Sequence, residues 1–233
     1  MRLLYIFLQT AVNDTITTTA TEQAEEMALP FWQLAMKGGW IMLPILALAL
    51  VAVYIFFERF FAIKNASQTD MNFMNRIKEY IHEDKIDSAV ALCRSTDSPV
   101  ARMIEKGLQR IGRPLNDINT AIENVGNLEI SSLEKNLPTL ATVAGAAPMI
   151  GFLGTVMGMI RAFYDMSMAG NNIDVGLLSN GIYTAMVTTV AGLMVGIIAY
   201  LAYNILVAKV EKVVFNLEAN TTEFMDLLNE PVE

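Results

Sequence analysis

Three uninterrupted apolar stretches constrain the fold of this chain more strongly than any other feature. They run from Trp40 to Phe57, from Leu137 to Ile160 and from Val175 to Ala208, and none contains a charged residue. A helix needs about 20 apolar residues to cross the hydrocarbon core of a bilayer. The sequence therefore predicts an all-α integral membrane protein with three transmembrane helices, the third long enough to tilt or to continue beyond the membrane.

The polar remainder excludes several functional classes. Charged residues make up only 17% of the chain, against about 25% in average soluble domains. Cys93 and His82 are the single cysteine and histidine, so we predict no disulfide, no metal site and no cofactor, and we expect both residues on a soluble surface. The net charge of -8 argues against a nucleic-acid partner. No nucleophile–base pair can be named, so we predict no enzymatic activity.

Basic residues predict the orientation of the spans. Eleven of the sixteen Lys and Arg residues lie between Arg59 and Lys135, and Lys209 and Lys212 follow the third apolar stretch. Segments rich in Lys and Arg remain on the cytoplasmic side of a membrane. We therefore expect residues 61–135 and the C-terminus in the cytoplasm, and the N-terminus and the turn after the second span on the outer side.

The chain divides into seven predicted segments. Its start, MRLLYIFLQTAVND, has one positive charge and a short apolar run, which is typical of a signal peptide; the alternative, which we favour, is a retained interfacial helix. The predicted order is a periplasmic or interfacial segment (1–39), span one (40–60), a cytoplasmic helical region (61–135), span two (136–162), a periplasmic turn (163–175), span three (176–208) and a cytoplasmic C-terminal helix (209–233).

Helices are also predicted outside the membrane. Between residues 73 and 113 apolar and charged residues alternate at helical spacing, which indicates a bundle of short helices. Asp87 and Asp97 stand where N-caps are expected, and Pro99 stands near a helix start. From Leu115 the apolar pattern enters the second span without a Gly or Pro cluster. We expect one long helix there, rising from a cytoplasmic helical bundle into the membrane.

A regular seam follows the third span. Its members are spaced 4, 3, 4, 3 and 4 residues apart, as in a coiled coil: they are Val210, Val214, Leu217, Thr221, Phe224 and Leu228. Two interpretations remain open. The seam packs against the 115–136 helix of the same chain, or it makes contact between subunits.

Small residues recur inside the second and third spans. Most of them weaken an isolated helix, but in lipid a helix must bond to itself. Small residues four positions apart then let two backbones approach closely. The residues that we predict to pack helices in this way are Pro148, Gly151, Gly154, Gly158, Gly181, Gly192 and Gly196.

The last two spans also contain threonines, whereas the first has none. One interpretation is that each hydroxyl bonds a carbonyl of its own helix. The spacing of Gly181, Thr184 and Thr188 favours another, a mildly polar lumen. Neither span carries a charge, and Arg161 at the outer end suits snorkelling to the interface, so a titrating carboxylate would have to come from another polypeptide. The candidate ion-path residues are Thr142, Thr155, Thr184, Thr188 and Thr189.

Three motifs carry a resemblance to a known family. APMIGFLGTVMGMIRAF resembles the second-span motif of the MotA/TolQ/ExbB proton channel family, close to its ExbB and TolQ branch. GIYTAMVTTVAGLMVGIIAYLAYN resembles the third span of that family, and SPVARMIEKGLQRIG resembles its cytoplasmic segment. By motif match, Thr155 and Thr189 fall on the family's pore threonines and Pro148 falls on its span-two proline.

The resemblance implies a function and partners. Members resemble homopentamers of the bacterial inner membrane, whose second and third spans line a pore around the single span of an ExbD- or TolR-like protein. That partner carries the membrane aspartate that takes up and releases protons. The motion passes to a TonB- or TolA-like protein, so the implied role is an ExbB-like motor subunit that uses the proton motive force to energise transport across the outer membrane.

One position departs from the family pattern. Many ExbB and TolQ members read GIAEAL where residues 181–186 of this chain read GIYTAM, so Thr184 occupies the glutamate position. A hydroxyl holds no charge at membrane depth, which fits a scheme where the partner's aspartate does all the titrating; use of Na⁺ stays open. A TolQ-like role in envelope maintenance is the nearest alternative, a MotA-like stator with more spans is disfavoured, and a non-conducting membrane scaffold is the alternative of another class.

Overall fold

The protein is described by a computed structural model that covers residues 38–67, 72–168 and 175–229. Seven α-helices and no strand occur in these ranges. The helices are α1 (Met42–Ala66), α2 (Phe73–His82), α3 (Ile86–Ser95), α4 (Pro99–Leu108), α5 (Leu115–Glu134), α6 (Leu137–Met168) and α7 (Val175–Asn229). The predicted all-helical fold is confirmed.

Three helical stretches are long and apolar enough to cross a membrane. By length and composition they are Met42–Ala66, Leu115–Met168 and Leu178–Asn229. Two helices are longer than the predicted segments, since α1 continues past residue 60 and α6 continues past residue 162. Helix α7 joins the third span to the C-terminal helix without interruption. The interpretation of the first 37 residues lies outside the described residues, as do residues 169–174 of the expected turn.

The chain divides into two compact units. The first comprises Met1–Pro44 and Ile150–Ala191, and the second comprises Ile45–Met149 and Gly192–Glu233. The second unit contains the short helices α2 to α4 together with α5 and parts of α1, α6 and α7.

The seam of α7 packs inside the second unit. Val210, Leu217 and Phe224 are almost completely buried and belong to its apolar core. Gly107 of α4 lies where α4, α5 and α7 meet. A Cβ atom at this position would come within 2.7 Å of the Phe224 ring in α7 and 2.8 Å of Ile122 in α5. The seam is therefore packing within one chain, the first of the two interpretations.

The bundle of short helices is present, with caps that differ from the prediction. Ser98, not Asp97, caps α4, because its hydroxyl accepts the Ala101 N–H at 3.2 Å and Pro99 follows at the first helical position. Asp87 lies in the first turn of α3, two residues after Lys85, which occupies the N-cap position. Arg102 binds both carboxylate oxygens of Glu129, at 2.6 and 2.7 Å, and so links α4 to α5.

The prediction of one continuous helix from Leu115 into the second span is wrong. Helix α5 ends at Glu134 and α6 begins at Leu137, with Asn136 in the left-handed region at a φ of 67°. Asparagine tolerates this conformation better than most residues. Proline has no N–H to bond four residues back, so Pro138 fits the first turn of a new helix better than the middle of an old one.

Two side chains of α1 make hydrogen bonds with the residues around this interruption. The Arg59 guanidinium donates to the Ser132 carbonyl at 3.0 Å and to Glu58 at 2.5 Å. Glu58 accepts a further hydrogen bond from the Asn136 amide at 3.2 Å. Because Arg59 is buried and Glu58 is partly exposed, the guanidinium depends on Glu58 for its compensating charge.

Because of this dependence, replacing Glu58 and replacing Arg59 should lower the stability by different amounts. We expect Glu58→Gln to lower the thermal midpoint of the purified protein more than Arg59→Met does, because only the first leaves a buried charge without its partner. Glu83→Gln is the control, since it removes one half of the exposed Lys85–Glu83 pair and should change little. Equal losses for the two α1 variants would contradict this account.

Cys93 lies in the core rather than on the surface, which corrects our expectation. It is 2% exposed and shares a face of α3 with the buried Ala89. Burial raises the pKa of the Cys93 thiol to about 12, with a smaller contribution from the nearby Glu105 carboxylate. His82 is exposed, as expected.

The buried thiol gives a labelling test. At pH 8 we expect a thiol reagent to modify Cys93 at least about 100-fold more slowly than a cysteine placed on the exposed side of the same helix, because the reactive thiolate is scarce and shielded. The matched comparison is Ser95→Cys in a Cys93→Ala background. The raised pKa also contributes stability that is complete below pH 9 and is lost as the pH rises towards 12. Similar labelling rates would place Cys93 outside the core.

Candidate functional site

Helices α6 and α7 touch through their smallest residues in the first unit. Gly154 of α6 faces Thr188 of α7, so closely that a Cβ atom at residue 154 would overlap the threonine hydroxyl. One turn further along, a Cβ atom at Gly158 would lie 2.8 Å from the Ala185 methyl. The two backbones approach to a distance that a larger side chain would not permit.

The contact continues to the end of α6. A Cβ atom on Gly181 would lie 2.5 Å from the Ala162 methyl. Ala162 is a contact that the sequence analysis missed, although its position four residues after Gly158 extends the small-residue spacing. In hydrocarbon, where apolar burial does not drive helices together, close van der Waals contact of this kind is a main source of association.

Two threonine hydroxyls meet the carbonyl of Gly151. The Thr189 hydroxyl donates to the Gly151 oxygen across the helix pair at 3.1 Å. The Thr188 hydroxyl lies 3.5 Å from the same oxygen but donates mainly to Ala185 of its own helix at 2.7 Å. Thr188 is 1% exposed, so within one chain it packs two helices together, and it also contributes to the lining of a cavity that Thr184 shares.

Thr155 and Thr184 differ in what their side chains contact. Thr155 is one turn beyond Gly151 on α6 and donates to the Phe152 carbonyl at 2.6 Å. Thr184 and Thr189 are five residues apart, which is about 140° around a helix. Thr184 lines a cavity that neither Thr155 nor Thr189 touches. Thr189 therefore bonds Gly151 across the helix pair, Thr155 bonds its own helix one turn further along, and Thr184 lines the cavity.

The cavity beside Thr184 has a volume of about 420 Å³. Arg161 and Tyr164 of α6 and Trp40 before α1 contribute to its lining, together with Gly154 and Gly158. Arg161 and Tyr164 are exposed. Thr184 thus shares a cavity with an arginine and a tyrosine in this chain.

Helix packing in the second unit uses a proline and a glycine. Gly196 of α7 lies against the Pro148 ring, and a Cβ atom there would also come within 3.1 Å of the Ala144 carbonyl oxygen. That oxygen lacks its usual helix donor because Pro148 has no N–H. Gly192 is buried, whereas Thr142 is exposed and donates to Pro138 of its own helix at 2.9 Å.

The hydroxyl and carbonyl oxygens of this helix contact are polar but uncharged. Hydroxyl groups can donate and accept hydrogen bonds. Because Thr155 and Thr189 already donate to carbonyls, their oxygens can accept a hydrogen bond from water or coordinate a cation, but they cannot hold a proton's charge. Among the residues that the structure describes, no three His, Cys, Asp or Glu side chains lie together in a way that could hold a metal ion.

Residues 95–219 match the MotA/TolQ/ExbB proton channel family. The matched stretch covers more than half of the chain and includes every glycine and threonine in the apolar stretches of α6 and α7. The chain belongs to this family. With its three long apolar helices, this MotA/TolQ/ExbB family member is a multi-pass membrane protein.

Individual relatives place the family member in the ExbB and TolQ branch. It is 26% identical to an ExbB-like biopolymer transport protein of Synechocystis sp. over 73% of this chain and 81% of the relative. It is 26% identical to the Tol-Pal system protein TolQ of Pseudomonas aeruginosa over 82% of this chain and 87% of the relative. An ExbB homolog of Methanothermobacter thermautotrophicus is 32% identical over 52% of this chain but only 42% of its own length.

The Gly154–Thr188 contact can be tested directly. We expect Gly154→Ala to destabilise the family member by about 1–3 kcal/mol, because the added methyl must displace the Thr188 side chain or the helix. The control is Gly145→Ala on the same helix, where a Cβ atom meets nothing within 4 Å, and where alanine should stabilise the helix slightly.

Thermal unfolding in detergent measures both variants. Adding Thr188→Ala to Gly154→Ala should recover part of the loss, because it removes the atoms that the new methyl strikes. If the two glycine variants behaved alike, close packing at residue 154 would be refuted.

Proposed function

We propose that this chain is an ExbB-like subunit of an ion-driven motor in the bacterial inner membrane. In this role it would conduct protons together with an ExbD-like single-span partner and would energise TonB-dependent transport across the outer membrane. The partner, the TonB- or TolA-like recipient and the homopentameric state extend what the family membership supports.

The observation that carries the proposal is the hydrogen bond from the Thr189 hydroxyl to the Gly151 carbonyl across the helix pair. Thr155 lies one turn further along α6 and donates to the Phe152 carbonyl of its own helix. We infer that Gly151, Thr155 and Thr189 form a polar strip within the apolar stretches of α6 and α7, which contain no charged residue. Such a strip can solvate a moving proton or cation but cannot take up the proton itself. A membrane aspartate on a second polypeptide would supply that missing group.

The orientation follows from the basic residues. With eleven of sixteen Lys and Arg residues between Arg59 and Lys135, the short helices α2 to α4 would lie in the cytoplasm and the N-terminus in the periplasm. The C-terminal part of α7 would then also be cytoplasmic.

Thr184 has a different role in this proposal. Because it lies beside Arg161 and away from Thr155 and Thr189, it is not required to carry ions. An arginine near the glutamate position of the family would disfavour a cation there. The ion, H⁺ or Na⁺, would be selected on the Thr155–Thr189 side.

Ion flux in proteoliposomes that contain the chain and its co-purified small partner tests the proposal. We expect Thr155→Val and Thr189→Val each to lower flux about tenfold or more, because a lost hydrogen bond to a charged species costs about 1.5–3 kcal/mol. Thr184→Val should lower it far less. Thr120→Val is the matched control, since this hydroxyl bonds its own helix outside the apolar stretches.

Native mass spectrometry of the complex accompanies the flux assay. A homopentamer with a small single-span protein that carries a membrane aspartate supports the motor, whereas an oligomer without such a protein, and without flux, supports the scaffold alternative. If Thr155→Val and Thr189→Val conducted like the unaltered protein, the assignment of the conducting side would be wrong.

The TolQ-like role remains the second candidate, since the Pseudomonas aeruginosa TolQ similarity covers 82% of the chain. The recipient protein distinguishes the two roles. A chain that co-purifies with a TonB-like protein serves transport, and one that co-purifies with a TolA-like protein serves the envelope.

A further inference from the structure

An apolar groove runs between α1 and α7 in the second unit. Its volume is about 330 Å³, and all of its lining residues are apolar. Alanines form much of its floor, namely Ala49 and Ala52 of α1 and Ala199 and Ala202 of α7, while Phe56 and Phe57 form part of its wall. Both helices are long and apolar enough to cross a membrane, so the groove opens to hydrocarbon rather than to water.

The groove has the depth of one leaflet. Its lining residues on α7 extend from Val195 to Ile205, a rise of about 15 Å along a helix. The hydrocarbon core of a bilayer is about 30 Å thick. The lining of the groove on α7 therefore extends over a length equal to about half of that thickness.

A lysine stands at one end of the groove. Lys209 follows Ile205 by one helical turn and is the first charged residue after the third apolar stretch. Its ammonium lies 5.0 Å from the centre of the Phe60 ring, which is one turn beyond Phe56 on α1. A cation held against an aromatic face is restrained by the ring quadrupole, and Lys209 remains exposed on its other side.

We propose that this groove is a binding site for an anionic phospholipid. One acyl chain lies on the alanine floor between α1 and α7, and the headgroup phosphate binds the Lys209 ammonium. In the proposed orientation the lipid belongs to the cytoplasmic leaflet, which carries most of the anionic lipids of a membrane. The site is separate from the Thr155–Thr189 strip and does not depend on ion conduction.

The shape and charge of the groove favour a lipid over a helix of a second copy. A packed helix would need a contact surface along the whole span, whereas the lining of this groove on α7 extends over about half of that length. A neighbouring helix would also gain little from a lysine at the groove's end, whereas a phosphate at that depth needs a cation.

Native mass spectrometry with two defined lipids tests the proposal. The full-length protein in detergent is titrated with dioleoyl phosphatidylglycerol and, separately, with dioleoyl phosphatidylcholine, and the bound lipids per chain are counted. We expect one phosphatidylglycerol per chain, bound about fivefold more tightly than phosphatidylcholine, since one basic residue near a membrane surface contributes on that order. Lys209→Gln should abolish this preference, and Lys212→Gln, which removes the next exposed lysine of α7, should retain it.

A second pair of variants tests the acyl-chain groove. Ala202→Phe fills the groove and should reduce binding of both lipids, and the smaller change Ala49→Leu should reduce it partly. Ile197→Phe is the control, because Ile197 is exposed on α7 but does not line the groove.

Three outcomes would overturn the proposal. They are an unchanged lipid count in Ala202→Phe and Ala49→Leu, a headgroup preference that survives Lys209→Gln, and a loss of oligomeric state in the groove variants with lipid binding intact. The last result would identify the groove as a contact between copies of the chain.

Discussion

Close approach of the α6 and α7 backbones is the contact on which the candidate site depends. Gly154 and Gly158 let Thr188 and Ala185 reach the surface of α6, and that proximity allows the Thr189 hydroxyl to bond the Gly151 carbonyl across the pair. If a larger side chain separated the helices, the hydrogen bond between the Thr189 hydroxyl and the Gly151 carbonyl would be lost. The glycines are thus a condition for the polar chemistry as well as for the packing.

The sequence predicted the spans and the role of the small residues because both follow from properties that a single residue carries. Charge and hydropathy decide whether a stretch can enter lipid, and the absence of a side chain decides how near a second helix can come. A threonine is harder to interpret, because its hydroxyl can be satisfied by its own helix, by a neighbour or by water. That is why Thr188, Thr189 and Thr184 share a prediction but occupy a helix contact, a cross-helix hydrogen bond and a cavity wall.

Two other differences between prediction and structure have identifiable causes. The apolar pattern through residues 115–160 has no interruption, so periodicity alone gave one helix, although Pro138 lies where an interior helix residue needs its N–H. Cys93 differs from the expectation because a cysteine without a metal or disulfide partner behaves as a small apolar residue. Its spacing of four from Ala89 placed it on the apolar face of a short helix, and that signal was available in the sequence.

The contact between Pro148 and Gly196 couples the residue types that fit at these two positions, which are distant in sequence. The ring of one residue and the missing side chain of the other occupy the same space, and the carbonyl that the proline leaves without a donor points into it. A residue larger than glycine fits at position 196 only if residue 148 is no longer proline. If residue 148 had an N–H, it would bond the Ala144 carbonyl, and the space beside that carbonyl would not need to stay empty. In a set of related sequences, these two positions would be inherited together or exchanged together.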